Sequence, residues 1–361
     1  MKGLKVKPIW SDSMGAKSMC VRVDTQDTSI LIDPSAAVMQ RSYPLDGNKK
    51  YELLSDARRD IEGSSLDVEH IVITHYHYDH HFLHGTDGID FDTVFSKDKK
   101  FWIKNPNEWI NPSQWDRSRK FIRALVKSIQ DSTKDDPIED FEKKPEENDY
   151  KDPLKDLPLL QQIDEGDYKD RREELHKKWR KKFFNRVDMW KSEKHIEEPT
   201  DNIRFAEGNS FKEGKTKIRF TEPLFHGIEY SKTGWVFGVT IERKGEKFLY
   251  SSDLHGPTIE DYAQWIIDED PDFIILDGPA TYHLGHLLNK FNLNRSVNNA
   301  SRIIEECDFE TMLYDHHLTR GKFFRDRTEK IWETKRDLEK NVLTFREFIE
   351  DRMPLIEQIT G

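Results

Sequence analysis

Short apolar runs rich in β-branched residues alternate with polar punctuation along the first third of the chain. Residues 4–10, 19–24 and 29–32 each read as a strand, separated by Gly, Asp and Thr. Residues 51–62 (YELLSDARRDIE) instead space their apolar side chains at helical intervals, and another strand follows at 69–74. From 131 to about 198 the pattern changes. Charged residues dominate, glycine is nearly absent, and prolines interrupt the first part, so the segment is expected to supply little core of its own. Its acidic first portion, 131–167, reads as a flexible or loosely helical linker. In 168–194, by contrast, Leu175, Trp179, Phe183, Val187 and Trp190 recur at steps of four and three and form one apolar stripe. Lys177, Lys178, Arg180, Lys181, Lys182 and Arg186 occupy the other faces, which makes this a basic amphipathic helix.

After residue 200 the strand pattern resumes at 203–206, 217–221, 235–242, 247–251 and 273–276, with helices at 259–268 and 297–306. A last strand, 311–314, leads into a charged, helical C-terminus. No internal repeat is visible. Strands, a helix, strands again and a helix fit an α/β (α+β) architecture of two β layers, each covered outside by helices. The expected organisation is a first half, 1–130, an insertion, 131–200, and a second half, 201–361 with the helical C-terminus.

Composition narrows the function classes. The 361 residues suffice for one large α/β domain with an insertion, or for two domains. No run approaches the roughly 18 apolar residues of a membrane helix, and MKGLKVKPIW lacks the features of a signal peptide. Cys20 and Cys307 are far apart and outside any CxxC, which argues against a disulfide framework and for a reducing, cytoplasmic setting. Both are expected to be small buried hydrophobes. A net charge of −11 opposes non-specific nucleic-acid binding except where basic residues cluster.

The densest chemistry lies in THYHYDHH, residues 74–81, which holds four of the chain's 14 histidines and an aspartate just after an apolar strand. Residues two apart on an extended loop point to one side, so His75, His77 and Asp79 can converge. His80 comes into reach if the chain then turns into a helix. Imidazole nitrogens and carboxylate oxygens are zinc ligands, and one such loop supplies about half the ligands for two adjacent metals. Other strand ends offer the rest: His226 after 217–221, Asp253 and His255 after 247–251, and His316 with His317 after 311–314.

This pattern resembles the metallo-β-lactamase fold superfamily: HxHxDH, then a single His, an Asp and a C-terminal His. The stretches SMGAKSM (13–19), ILIDP (30–34), EPLFHG (222–227), GPATY (278–282) and DHHL (315–318) are similar to an archaeal branch of that superfamily. The resemblance covers 1 to about 125 and 200 to about 330, and the insertion departs from it. It implies a four-layer αββα metallo-β-lactamase sandwich carrying a charged, largely helical insertion. It also implies that His75, His77 and His226 hold one divalent metal, that Asp79, His80 and either His316 or His317 hold a second, and that Asp253 bridges them. The remaining C-terminal histidine would support a ligand or protonate a leaving group. Asp33 resembles the buried aspartate that orients the metal loop. His81, His84, His255, His283 and His286 match no ligand position. His255 and His283 fall near the expected mouth, where a structural role is favoured over substrate contact, and His70, His176 and His195 are expected to be solvated.

Two close cations would activate water and stabilise an oxyanion, so the implied reaction is hydrolysis, with Asp79, Asp253, His316 and His317 as catalytic candidates. Histidine at position 77 favours zinc, although iron, manganese and nickel also accept imidazole. The expected substrate is a phosphodiester or related ester, ahead of a lactone or thioester. Nucleic acid would be a partner through the basic helix 168–194, unless that helix simply packs on the core and leaves a solvated face. A di-iron redox protein and a non-catalytic scaffold are the readings from other classes. No oligomeric state follows from the sequence.

Overall fold

The computed structural model describes residues 2–130 and 132–361, so Asp131, the first residue of the insertion, lies outside the described residues. Two sheets face each other, and in both the strands lie side by side in chain order. The first contains β1 (Lys5–Ser11), β2 (Met19–Asp24), β3 (Ser29–Ile32), β4 (His70–Ile73), β5 (Lys100–Ile103) and β6 (Ile203–Phe205). Its pairs are antiparallel as far as β3 and parallel from there on. The second contains β7 (Ser210–Glu213), β8 (Thr216–Phe220), β9 (Val239–Arg243), β10 (Glu246–Tyr250), β11 (Phe273–Leu276), β12 (Thr311–Tyr314) and β13 (Val342–Leu343). It switches from antiparallel to parallel at β10.

The strand period of two decides which layer each side chain joins. Along β10 and β11, Phe248, Tyr250, Phe273 and Ile275 enter the apolar cluster between the sheets. The intervening Leu249, Ile274 and Leu276 enter a second cluster on the outer face. There they meet Ala263 and Ile266 of α4 (Glu260–Glu269) and Val297, Ala300, Ile303 and Ile304 of α5 (Lys290–Glu306). The first sheet is covered likewise by Leu54, Ala57 and Ile61 of α1 (Gly47–Ser65) and Phe121, Ile122 and Leu125 of α2 (Pro112–Ile129). This is the four-layer αββα sandwich of the metallo-β-lactamase fold. Most strands and helices sit within a few residues of their predicted ranges, but α5 begins at Lys290 rather than at 297, the run 235–242 is split between a short strand, Trp235–Val236, and β9, and β5, β7, β13 and α2 add to the set. Both cysteines are buried, as expected.

The charged segment expected to be an insertion contains α3 (Lys169–Ser192), and its stripe turns inward: Phe183, Val187 and Trp190 are buried in the main apolar cluster. Phe183 lies 5.8–6.0 Å, centroid to centroid, from Trp109, Trp190, Tyr230 and Trp235. Lys177, Lys178, Lys181 and Lys182 face outward. The acidic stretch before α3 is a fastened strap rather than a linker. It buries Ile138, Leu157 and Leu160, and the Asp261 carboxylate accepts from the N–H groups of Leu159 and Leu160. Among the described residues no helix is long and apolar enough to cross a membrane.

Candidate metal centre

Parallel strands end together, and the loops leaving β3, β4, β10, β11 and β12 meet at one edge of the sandwich, joined by the loop after the short strand Leu224–Phe225. Backbone torsion aims the side chains there. Asp33, Ser252, His255 and His317 all adopt positive φ, between 49° and 56°, a conformation costly for non-glycine residues and concentrated at functional sites.

Donor atoms of His75, His77, His226 and Asp253 lie within 4.8 Å of one another, and so do those of Asp79, His80 and His316. Asp253 faces both groups. Its Oδ2 is 3.3 Å from His75 Nε2 and 3.2 Å from His226 Nε2, while its Oδ1 is 3.3 Å from His80 Nε2 and 3.6 Å from His316 Nε2. His77 presents Nδ1, 3.1 Å from His75 Nε2 and 3.3 Å from His226 Nε2. Seven of the eight metal-ligand candidates read from the sequence are thus brought together, and the eighth, His317, stands beside them.

Adjacent histidines part company here. His316 sends Nε2 to the second group while its Nδ1 lies 2.9 Å from the Ser18 carbonyl and 3.1 Å from Asp12 Oδ1. His317 turns to Asp277, with Nδ1 2.9 Å from Oδ1, and its ring centroid is 4.5 Å from that of His255. A His317 nitrogen still lies within 4.8 Å of donors on Asp253 and His316.

The donor set fits divalent cations. Both Asp253 oxygens and His80 Nε2 are buried without a hydrogen-bond partner, an arrangement that is expensive unless something positive joins them. Burial, together with the nearby His80 charge, holds His75 down at about 4, and burial holds His77 well below its ordinary value, so both carry the free lone pairs that ligation requires. Burial works against ionisation of Asp79, yet His80, Arg320 and His316 keep it well below the usual carboxylate range. His80 behaves oppositely: despite burial, Asp253 and Asp33 push it up to about 10, and a metal would take the place of that proton.

Asp33 fixes this geometry. Its Oδ2 accepts from Thr74 Oγ1 (2.6 Å) and Tyr250 OH (2.8 Å) and lies 2.9 Å from His80 Nδ1, while Oδ1 accepts from Thr74 N–H (2.7 Å). Four supporting residues escaped the sequence reading: Asp12, Gln114, Asp277 and Arg320. Asp12 accepts from His317 N–H (2.8 Å) and from Arg320, which also reaches Asp79 Oδ2 at 3.2 Å. A signal existed for Asp277, because it ends the apolar run FIIL as Asp253 ends its own. Three histidines expected to be solvated are not. His70 is buried and stacks on Phe211 at 4.7 Å, His195 is buried beside the Trp190 carbonyl, and His176 is half-buried. His70 is covered by β7, which the sequence pattern did not reveal. A surface cavity of about 880 Å³ along α2, lined by His84, Lys97, Lys120, Arg123 and Lys127 among others, contains none of the ligands.

Comparison with known proteins identifies the family. Residues 15–85 match the family model of the metallo-beta-lactamase superfamily. A UPF0282 protein of Methanocaldococcus jannaschii is 30% identical over 347 residues, covering 94% of each chain. One of Korarchaeum cryptofilum is 28% identical over 355 residues, covering 98% of this chain and 92% of its own. Among solved structures, the metallo-beta-lactamase fold protein YhfI of Bacillus subtilis is similar at 12% identity and a TM-score of 0.41, over 94% of this chain and 95% of its own.

Proposed function

The chain belongs to the UPF0282 family of the metallo-β-lactamase superfamily, and from that premise we propose that it is a hydrolase working with two divalent metal ions, zinc first among them. One observation carries the reading: a single buried carboxylate, Asp253, turns one oxygen to each of two imidazole clusters. His75, His77 and His226 would hold one ion and Asp79, His80 and His316 the other, with Asp253 between them. When bound, such a pair would supply hydrolytic chemistry by acidifying water and stabilising negative charge on the substrate.

The protein's own groups divide the remaining work. Asp33 and Asp12 orient His80 and His316 by their Nδ1 atoms, which leaves each Nε2 toward the cleft. Asp277 holds His317 by Nδ1 in the same way, and once the ring has taken up a second proton on Nε2, His317 would pass that proton to a leaving oxygen. Arg320, fixed by Asp12, places a permanent cation beside Asp79. A phosphodiester or related ester is the preferred substrate. The lysines on the outer face of α3 provide a surface for a nucleic-acid strand, since clustered cations release counterions from phosphates.

Metal analysis of the purified protein, combined with phosphodiester, lactone and thioester substrates, tests the proposal. About two ions per chain and metal-dependent hydrolysis are expected, with Asp253→Ala losing both hydrolysis and the second equivalent of metal. Full activity in Asp253→Ala, or in metal-stripped protein, would overturn it.

A further inference from the structure

We infer that Gln114 is the positioning residue of the first ligand cluster, because its side-chain amide spans the two loops that carry His75, His77 and His226. The inference rests on the metal-site reading proposed above. Gln114 is completely buried in the first turn of α2. Its own N–H is taken by the helix cap, Asn111 Oδ1, at 2.7 Å, so the side chain is free to act elsewhere.

One end of that side chain holds the loop after β4. Oε1 accepts from the N–H of Tyr76, the residue between His75 and His77, at 3.0 Å. The other end holds the loop after Leu224–Phe225, where Nε2 donates to the Thr233 carbonyl at 2.5 Å. Thr233 passes the restraint on: its hydroxyl donates to the His226 carbonyl at 3.0 Å, and His226 N–H bonds the Gly234 carbonyl at 3.0 Å. Asn111 reinforces the same side by donating to the Lys232 carbonyl at 2.9 Å.

Gly234 shows how close the approach is. Its φ is +99°, and a Cβ there would sit 3.2 Å from the amide nitrogens of both Asn111 and Gln114. The two partners also fix the amide orientation, since a backbone N–H requires the oxygen and a carbonyl requires the NH₂. Spanning the gap needs an acceptor and a donor on one planar group at this length. Glutamate retains only the acceptor and methionine neither. Gln114 touches no ligand atom. It sets the separation between two ligands on one loop and the third on another.

The test is a Co²⁺ titration followed by visible absorption, with His226→Ala used to identify the band of the first cluster. Outer partners of metal ligands typically change affinity by about 10–100-fold. Q114M should therefore weaken the Co²⁺ step that carries this band by about that factor and leave the other step unchanged, and Q114E should fall between Q114M and the wild type. Asn107 serves as a structural control. It is also buried and bonds both the N–H and the carbonyl of Ile196 at 2.8 Å, so N107L should lose stability yet keep both Co²⁺ steps. If Q114M does not fold, Q114E carries the comparison. Wild-type Co²⁺ affinity in the Gln114 variants, or equal weakening of both steps there and in N107L, would overturn the inference. A wild-type protein that takes up no Co²⁺ would instead overturn the metal site itself.

Discussion

His70 stands at the start of β4, only 1% exposed, with its ring stacked on Phe211 and its Nδ1 accepting from Trp102 Nε1 at 3.3 Å. Burial, with the Lys100 charge added, lowers its pKa from 6.5 to about 4, against the opposing pull of Glu213 and Glu69. The folded protein therefore resists a proton that the unfolded chain accepts. Between these two values the unfolded state binds more protons, so stability rises with pH and falls as pH drops. Relative to pH 7, this one residue costs about 0.7 kcal/mol at pH 6 and about 1.8 kcal/mol at pH 5. His70→Phe keeps the stack and removes the titration. It also leaves Trp102 Nε1 without its acceptor, a loss of about 1 kcal/mol that does not vary with pH. Urea denaturation at a series of pH values from 7 to 5 reads the difference, because the site histidines titrate alike in both proteins and cancel. The variant's stability should decline by about 2 kcal/mol less than the wild type's over that range. Parallel profiles would show that His70 can charge at no cost in the fold, and the reasoning from its burial would fail.

Three other outcomes follow from the same structure. Phe183→Ala should cost about 3–5 kcal/mol in denaturant midpoint analysis, whereas Lys178→Ala on the opposite face of α3 should stay within about 0.5 kcal/mol; equal effects would mean that the stripe is not core. Glu229 is buried between Arg172 (2.9 Å) and Arg295 (2.7 Å), so Glu229→Ala should lose about 3–5 kcal/mol by leaving guanidinium charge unpaired, as thermal unfolding would register. Chelation should lower the unfolding temperature, and Zn²⁺ restored to about 100 times its Kd should return about 2.7 kcal/mol of stability; a chelator-insensitive transition would contradict the cation site.

The parts of the site legible in the sequence are those encoded over short range. HxHxDH follows an apolar run, and His226, Asp253 and the 316–317 pair each follow another, so strand ends announce their ligands. The choice between His316 and His317 is not local. It depends on a positive φ of 53° at His317 and on carboxylates from β11 and the loop after β1, far away in the chain. Gln114 is invisible for a different reason: both its partners are backbone atoms, which leave no residue-type pattern. Among the layers, β11 (FIIL) and β12 (TMLY) declare themselves by short, largely apolar runs buried on both faces, as does the FLY half of β10. The four-residue strands KFWI and SFKE include charged residues, and SFKE forms an edge of its sheet, so neither stands out as an apolar run. The charged insertion hid its contribution because core-forming side chains occupy only every third or fourth position of α3.

The consecutive strand order of both sheets has a consequence for synthesis. Every neighbour of β1 to β4 is made before residue 131 is, whereas β6, His226, Asp253 and His316 come from the ribosome later. A partly translated chain therefore displays HxHxDH without its counterparts, four ligands with nothing to close around them. On the proposed metal-site reading, tight ion capture would be postponed until translation is nearly finished, and would then stitch the earlier-made half to the later one.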